Sequence, residues 1–276
     1  MTHMIYVVPS LKAKEKLQCE GKAWAESQGF AYVPRGKRTI QNLMDEYGED
    51  FLVYSSRGLQ IDRPEGSHFF SLNMAELRIQ NLRKGQRDHL LEALMGVKEY
   101  DLRPAAAQPP ISVLDCTCGF GADAAVASFG LPAGSRVDAL EVSPLLEAVT
   151  AWGFSHFVHK KDDVTAALRR ISLRCGDYRD YLLSDEGPVY DVLYFDPMFQ
   201  RPVEASCQFQ PVRAIMEHGG LTRDLIERAL QKARRRVVIK ERDFRQLCRG
   251  FPDVTLYGGK YSRIGYAVLE CDSWKK

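Results

Sequence analysis

Apolar runs of strand length alternate with segments of helical pattern through the second half of the chain. Val, Ile, Leu and Phe are concentrated in runs at residues 111–114, 136–142, 171–175, 189–195 and 236–239. This alternation predicts a parallel sheet with helices on both of its faces. Two more runs, residues 254–257 and 265–270, follow each other without a helical segment between them. They predict an antiparallel strand pair at one edge of the sheet.

The first part of the chain mixes the two patterns. Apolar runs at residues 51–54 and 59–61 flank Ser55-Ser56-Arg57-Gly58, which predicts a hairpin. Residues 12–28 have a helical pattern, and a proline-rich segment at residues 103–110 interrupts the chain. We therefore expect two domains. Residues 1–108 form a smaller mixed α+β domain with a role in substrate binding, and residues 109–276 form a cofactor-binding α/β domain.

Composition narrows the class of protein. The chain has 276 residues, of which 45% are hydrophobic and 27% charged, as in ordinary globular proteins. A formal net charge of +2 gives no sign of the strongly basic surface that many nucleic-acid binders carry. Seven cysteines without Cys-x-x-Cys spacing predict neither a disulfide framework nor a zinc site. We expect no metal, no membrane span and a reduced, cytoplasmic location.

A glycine-rich turn, Asp115 to Gly121, follows the first strand of the α/β part. Gly119 to Ala124 fits the pattern G-x-G-x-x-A, and the acidic residue Glu141 follows Gly121 after about 20 positions. Glycines allow a tight turn and let a ligand approach the backbone. We expect Gly119 and Gly121 to form this turn, and Glu141 to accept hydrogen bonds from the two hydroxyls of a ribose.

The acidic residue at the start of the turn bears on the choice of cofactor. NAD and S-adenosylmethionine share an adenosine, but a carboxylate at Asp115 is unfavourable beside a pyrophosphate. It suits a ligand that carries an ammonium and a sulfonium group. We therefore expect S-adenosyl-L-methionine, with Thr117 of the same turn among its contacts and Asp177 receiving the adenine amino group. The alternatives are an NAD-dependent oxidoreductase and, for Asp115 and Asp177, simple helix capping.

The segment after the run at 189–195 is a candidate target site. Asp196-Pro197-Met198-Phe199 resembles the [N/D/S]-P-P-[Y/F/W] signature of methyltransferases that modify amino groups on planar rings, with Met198 in place of proline. We expect Asp196 and the carbonyl of Pro197 to accept the N–H groups of an exocyclic amine, and Phe199 to stack on the ring. The alternative is a strand end with a turn proline and a core phenylalanine.

Three segments together resemble a known family. Residues 115–124, 194–199 and 236–240 are similar to the ribosomal RNA small subunit methyltransferase J family, which methylates the exocyclic amine of one guanine in 16S ribosomal RNA. The resemblance covers roughly residues 70–276. It implies a class I methyltransferase sheet, of which the closing antiparallel strand pair is typical, and a partner that is 16S ribosomal RNA or the small ribosomal subunit. The cofactor contacts that it implies are Ala122, Asp123, Glu141, Val142, Asp177, Tyr178 and Asp196.

Some features leave the substrate open. Cys116 and Cys118 stand where alanines are usual in that family, and residues 1–70 carry no such resemblance. The near-neutral charge is compatible with a methyltransferase for a small molecule or a protein, and the fold alone with a non-catalytic protein that binds RNA or a nucleotide. Lys240, just after the run at 236–239, is a candidate for contact with an RNA phosphate, and the alternative is a solvated surface lysine.

Overall fold

The computed structural model describes residues 4–48, 51–63, 66–97, 108–197, 220–258 and 264–274. Within these ranges the strands are β1 (Tyr6–Pro9), β2 (Ala31–Tyr32), β3 (Phe51–Ser55), β4 (Gly58–Arg63), β5 (Gly66–Phe69), β6 (Ser112–Asp115), β7 (Arg136–Glu141), β8 (Ile171–Cys175), β9 (Val192–Phe195), β10 (Arg236–Glu241), β11 (Thr255–Gly258) and β12 (Gly265–Glu270). The helices are α1 (Glu15–Ser27), α2 (Ile40–Tyr47), α3 (Asn73–Arg83), α4 (His89–Met95), α5 (Ala122–Gly130), α6 (Pro144–His156), α7 (Asp162–Arg169), α8 (Tyr178–Leu183), α9 (Arg223–Lys232), α10 (Arg245–Gly250) and α11 (Cys271–Trp274). None of the helices in these ranges combines the length and the apolar character that a membrane crossing requires.

Contacts between residues divide the chain into two units, each with a sheet of its own. The first unit takes its described residues from Met1–Ser71 and Ser143–Phe157. The second takes them from Leu72–Val142, Val158–Pro202 and Glu217–Lys276. The helix α6, which follows β7 in the chain, therefore belongs by its contacts to the first unit.

Helices α3 and α4, which precede residue 109 in the chain, pack on elements that follow it. Helix α3 packs on α5, and α4 packs on β11 and β12. The side chains of Leu90, Leu91 and Leu94 on α4 are buried, so this helix needs an apolar partner. The contacts thus group α3 and α4 with the second unit, whereas the boundary expected between residues 108 and 109 stays a prediction.

The second unit is built on a seven-stranded sheet in the order β11-β12-β10-β9-β6-β7-β8. Strands β6 to β10 are parallel, and β12 is antiparallel to both β10 and β11. This confirms the mostly parallel, Rossmann-like sheet with its antiparallel closing strand. The chain runs outward from β6 through β7 to β8, and then crosses to β9 on the other side of β6. Ligand sites in open α/β sheets lie at the carboxyl ends of strands at such a reversal.

Apolar side chains on both faces hold β9 in the middle of this sheet. All four of its residues are buried, as expected for a parallel strand covered on both faces. Leu193 and Phe195 pack in one cluster with Ile226 and Leu230 of α9. The strand end that carries Asp196 is therefore anchored in the core.

The first unit has a five-stranded sheet in the order β2-β1-β3-β4-β5. Strands β1, β2 and β3 are parallel, while β3-β4 and β4-β5 are antiparallel hairpins. The first hairpin confirms the one predicted around Ser55 and Gly58, which pair with each other. Helix α6 packs on β4, and a Cβ atom at Gly58 would lie 2.2 Å from the ring of Trp152. Glycine is thus required where α6 approaches the strand.

Substitution of Gly130, the last residue of α5, should destabilise the second unit. A Cβ atom there would lie 2.2 Å from Cδ1 of Leu91, a fully buried side chain of α4. We expect Gly130→Ala to lower the free energy of unfolding by about 1–3 kcal/mol because the core is overpacked. Urea denaturation followed by circular dichroism measures this change.

The matched control is Gly250, the last residue of α10, where no atom of the described part of the chain lies within 4 Å of the position that a Cβ would take. Gly250→Ala should leave the free energy of unfolding unchanged or raise it by up to about 1 kcal/mol, since alanine restricts the unfolded chain. Equal stabilities of the two variants would contradict the packing argument.

Candidate active site

The glycine turn lies at the carboxyl ends of β6 and β7. Gly119 and Gly121 have φ angles of +54° and +76°, in the left-handed region that favours glycine. The backbone N–H of Cys118 donates to the carbonyl of Leu140 (2.9 Å), and that of Gly119 donates to Oε2 of Glu141 (2.9 Å). The structure therefore brings together the turn and the acidic strand end that the sequence singles out.

Thr117 connects the turn to the strand on the other side of β6. Its backbone N–H donates to Oδ1 of Asp115 (3.1 Å), and its Oγ1 accepts a hydrogen bond from the backbone N–H of Asp196 (2.7 Å). Asp115 is buried at the tip of β6, with only 2% of its surface exposed. The candidate cofactor residues and the candidate target residue are thus joined through one threonine.

A buried charge cluster, which consists of Arg78, Asp88, Asp123, Tyr194, Asp196 and Lys240, lies next to this junction. Lys240 Nζ lies 2.8 Å from Oδ2 of Asp123 and 2.8 Å from Oδ2 of Asp196. The Lys240 side chain is 13% exposed. Lys240 is therefore engaged inside the protein, which differs from the phosphate contact expected from the sequence.

Two further residues hold Asp123 in place. The Tyr194 hydroxyl donates to Oδ2 of Asp123 (2.7 Å), and Arg78 forms an ion pair with Oδ1. Arg78 also binds Asp88 through two nitrogens, each at 2.8 Å from a carboxylate oxygen. Asp88 in turn caps α4 by accepting from the N–H of Leu90 (3.0 Å). The cluster thus links α3, the start of α4, α5, β9 and β10.

Burial and the neighbouring charges together set the direction of the pKa shift of each member of the Lys240 contacts. Burial would raise the pKa of Asp123, but Lys240 and Arg78 hold it below its ordinary value. Burial would lower the pKa of Lys240, but the two carboxylates beside it hold it above its ordinary value. Burial raises the pKa of Asp196, and Lys240 offsets this rise only in part. Of the two carboxylates that contact Lys240, Asp196 is therefore the more basic.

The other predicted cofactor residues lie at the same edge of the sheet. Ala122 and Asp123 begin α5, and Val142 follows β7. Asp177 caps α8: its Oδ1 accepts from the N–H of Arg179 (2.8 Å). Helix capping, the alternative considered for Asp177, is thus present in the structure, and a contact with adenine stays a prediction.

Tyr178 shows a feature of its own. Its ring packs edge-to-face on Phe195, with ring centroids 5.4 Å apart. Within the described part of the chain no hydrogen bond of good geometry reaches its buried hydroxyl, and the guanidinium of Arg179 lies beside the ring. A buried hydroxyl without a partner is costly, so a polar atom of a ligand there would stabilise the protein.

The residues at this edge fit S-adenosylmethionine. Among the described residues, a Cβ atom placed on Gly119 would meet only the carbonyl oxygen of Thr117, at 4.0 Å, which leaves room for a ligand to approach the backbone. Asp115 and Glu141 place two carboxyl groups at this edge, and their contacts with a cationic group and with ribose hydroxyls stay predictions. Among the described residues, no group of three or more His, Cys, Asp or Glu side chains is arranged to hold a metal ion.

The site contains residues that the sequence analysis did not identify, and one residue that it did identify is not described by the structure. Phe199, the predicted stacking residue, lies outside them. Arg78, Asp88 and Tyr194 were not foreseen, because Arg78 is 45 residues from Asp123 and no local pattern connects them. Lys240, near the end of β10, was the one member of the charge cluster outside the motifs that the sequence analysis identified.

The sheet order, the glycine turn and the acidic ends of β6, β7 and β9 define a class I S-adenosylmethionine-dependent methyltransferase. Residues 70–264 match the family model described as "Putative SAM-dependent methyltransferase". The chain belongs to this family, and its cofactor is S-adenosylmethionine. The alternative of an NAD-dependent oxidoreductase is thereby set aside.

Comparison with individual proteins agrees with this assignment. A Bacillus subtilis (strain 168) protein called "Uncharacterized protein YpiP" is 28% identical over 236 residues, which cover 85% of this chain and 88% of that protein. The ribosomal RNA small subunit methyltransferase J of Thioalkalivibrio sulfidiphilus is 32% identical over 56% of this chain and 57% of its own length. That of Saccharophagus degradans is also 32% identical, over 56% of this chain and 61% of its own. The chain thus spans less than two thirds of these two relatives, and the matches confirm the resemblance drawn from the motifs.

A solved structure shows the same fold. The SAM-dependent methyltransferase NGO1261 from Neisseria gonorrhoeae superposes with a TM-score of 0.60 and 17% identity, over 96% of this chain and 95% of that one. At this identity the likeness concerns the fold alone.

The ionisation of Asp115 should make cofactor binding depend on pH. Burial raises the pKa of Asp115 well above its ordinary value. A cationic ligand beside it favours the ionised form, so the affinity for S-adenosylmethionine should increase as the pH rises. Between about pH 5.5 and 7, where an α-amino group stays protonated, calorimetry should show a falling Kd and proton release on binding.

In the Asp115→Asn variant we expect weaker binding and a Kd that no longer changes over this pH range. Asp253→Asn, at an exposed turn, is the matched control and should behave as the wild type. An Asp115→Asn variant with the wild-type pH dependence would refute the role of Asp115.

Proposed function

We propose that this methyltransferase acts on an exocyclic amine of a nucleobase, with a guanine of 16S ribosomal RNA as its target. The observation that carries the proposal is the location of Asp196 and Pro197 at the carboxyl end of β9, joined to the cofactor turn through Thr117. The relatives named ribosomal RNA small subunit methyltransferase J support RNA as the substrate class. The Asp-Pro-Met-Phe sequence supports an amino group as the acceptor.

The chemistry explains why a carboxylate belongs at this position. An exocyclic amine is a poor nucleophile because its lone pair is delocalised into the ring. The cofactor supplies a methyl group already activated by a sulfonium, so the protein must mainly position and polarise the amine. The carboxylate of Asp196 and the carbonyl of Pro197 accept the two N–H groups and draw the nitrogen towards tetrahedral geometry. We assign the stacking of the base to Phe199.

Asp196 also has the properties of a proton acceptor. Methyl transfer leaves one proton too many on the nitrogen, and a carboxylate already bonded to that amine is in place to receive it. Burial raises the pKa of Asp196, which makes it a stronger base than an exposed aspartate. The same residue thus orients the amine and takes up its proton.

The remaining roles of the proposal are those that the sequence predicts. Substrate binding is assigned to residues 1–108, and action on the small ribosomal subunit or its RNA places the protein in the cytoplasm. The cofactor-binding residues are proposed to be Asp115, Thr117, Gly119, Gly121, Ala122, Asp123, Glu141, Val142, Asp177, Tyr178 and Asp196.

Transfer of tritiated methyl groups tests the proposal. Small ribosomal subunits and naked 16S ribosomal RNA from cells that lack this gene are incubated with the protein and labelled S-adenosylmethionine. We expect label in 16S ribosomal RNA, recovered as a methylated guanosine after nucleoside analysis. The Asp196→Ala variant should lower kcat by about 10²–10⁴-fold, because the amine loses its acceptor.

The Asp253→Asn variant controls for the loss of one carboxylate and should keep the wild-type rate. Label in a protein or a small molecule, with none in RNA, would replace the proposed substrate by one of those classes. Binding of S-adenosylmethionine without transfer to any fraction would contradict the proposed reaction, and an Asp196→Ala variant at full rate would contradict the role of Asp196.

A further inference from the structure

The ammonium group of Lys240 lies between two carboxylates of the buried charge cluster. Nζ is 2.8 Å from Oδ2 of Asp123 and 2.8 Å from Oδ2 of Asp196. We propose that Lys240 is a positioning residue, which orients the carboxylate of Asp196 towards the acceptor amine and keeps it ionised. This inference rests on the role proposed for Asp196 and adds a residue that the motif does not contain.

The first part of the argument concerns orientation. One oxygen of the Asp196 carboxylate, Oδ2, is held by Lys240, and the backbone N–H of Asp196 is held by Oγ1 of Thr117 (2.7 Å). Within the described part of the chain, no donor contacts the other oxygen, Oδ1. The protein thus fixes the rotation of the carboxylate with one oxygen and leaves the second to accept an N–H group. A carboxylate that rotates freely would lose part of this geometry.

The second part concerns the fixation of Lys240 itself. A lysine side chain has many rotamers, and a single ion pair does not order it. Here Asp123 also binds Lys240, and Asp123 is in turn held by Arg78 and by the hydroxyl of Tyr194. Three donors from three elements therefore converge on Asp123. The position of Lys240 is set before any substrate binds.

The third part concerns charge. The titratable groups that interact with Asp196 are Lys240 and Glu241 on β10, Asp123 on α5, Asp115 on β6 and Tyr194 on β9. Among these groups Lys240 is the one cation. Burial, Asp123 and Glu241 favour the neutral form of Asp196, and Lys240 opposes them. Without Lys240 the carboxyl group would take up a proton at higher pH, and a protonated carboxyl donates a hydrogen bond where the amine needs an acceptor.

Titration of Asp196 in the absence of RNA tests the inference directly. The protein is labelled with ¹³C at the aspartate carboxyl carbons, and the resonance of Asp196 is assigned by its loss in Asp196→Asn. In Lys240→Met we expect the pKa of Asp196 to rise by at least about one unit, a tenfold change in proton affinity. An unchanged pKa of Asp196 would overturn the inference.

Kinetics supply a second measurement that a purely structural role would not affect. Single-turnover rates of the wild type fall at low pH as Asp196 becomes protonated. In Lys240→Met this acid limb should move to higher pH by the same amount as the carboxyl titration, while the KM for RNA changes less than about threefold. Lys240→Arg, which keeps the charge, should restore most of the wild-type profile.

Lys160→Met, at an exposed position, removes the same charge from the surface and should leave both the titration and the profile unchanged. The proposal would be overturned if Lys240→Met raised the KM for RNA and reduced the salt dependence of RNA binding while its pH profile stayed unshifted. That result would mean that Lys240 contacts an RNA phosphate.

Removal of Lys240 leaves Asp196 without its ion-pair partner and Asp123 with Arg78 as its remaining cation, so Lys240→Met could fail to fold. Lys240→Gln keeps a hydrogen-bond donor without the charge, and the same rise in the pKa of Asp196 is expected there. The carboxyl titration needs no substrate. Failure to methylate 16S ribosomal RNA would therefore refute the proposed substrate and leave this result standing, whereas an unchanged titration would refute the role of Lys240 for any substrate.

Discussion

The ion pairs that Lys240 forms with Asp123 and Asp196 hold the candidate site together. They join the start of α5, the end of β9 and the end of β10 across the point where the strand order reverses. Lys240 and Asp123 are largely removed from water and the Asp196 side chain is 29% exposed, so the loss of Lys240 would leave negative charge that is only partly compensated. The geometry of the strand ends is thus tied to the neutralisation of buried charge.

The cofactor side and the target side of the site share one connection. Thr117 binds Asp115 through its N–H and the backbone of Asp196 through its hydroxyl, while Gly119 binds Glu141. The left-handed glycines make this turn, and the turn places its threonine between two parallel strands. A methyl donor seated on the turn and an amine held by Asp196 are brought together by the same few residues.

Local sequence signals recovered most of the fold. The alternation of strand and helix patterns predicted the parallel sheet, and the closing strand pair predicted its antiparallel edge, because hydrophobic periodicity reflects which faces are buried. The same signals were misleading for Lys240: a lysine after a strand resembles a surface residue until its neighbours are known. Asp177 caps α8 in the structure, and the adenine contact expected of it stays a prediction.

The sequence by itself determined the sheet, the glycine turn, the acidic strand ends and the Asp-Pro element, since each depends on residues close together in the chain. Only the tertiary structure decided which charges meet. Asp123 and Lys240 are 117 residues apart, and Asp196 and Lys240 are 44 apart. Electrostatic interaction depends on distance in space and on burial, and neither is encoded in local spacing. The tertiary structure therefore turned an apparently exposed lysine into the buried partner of the candidate catalytic aspartate.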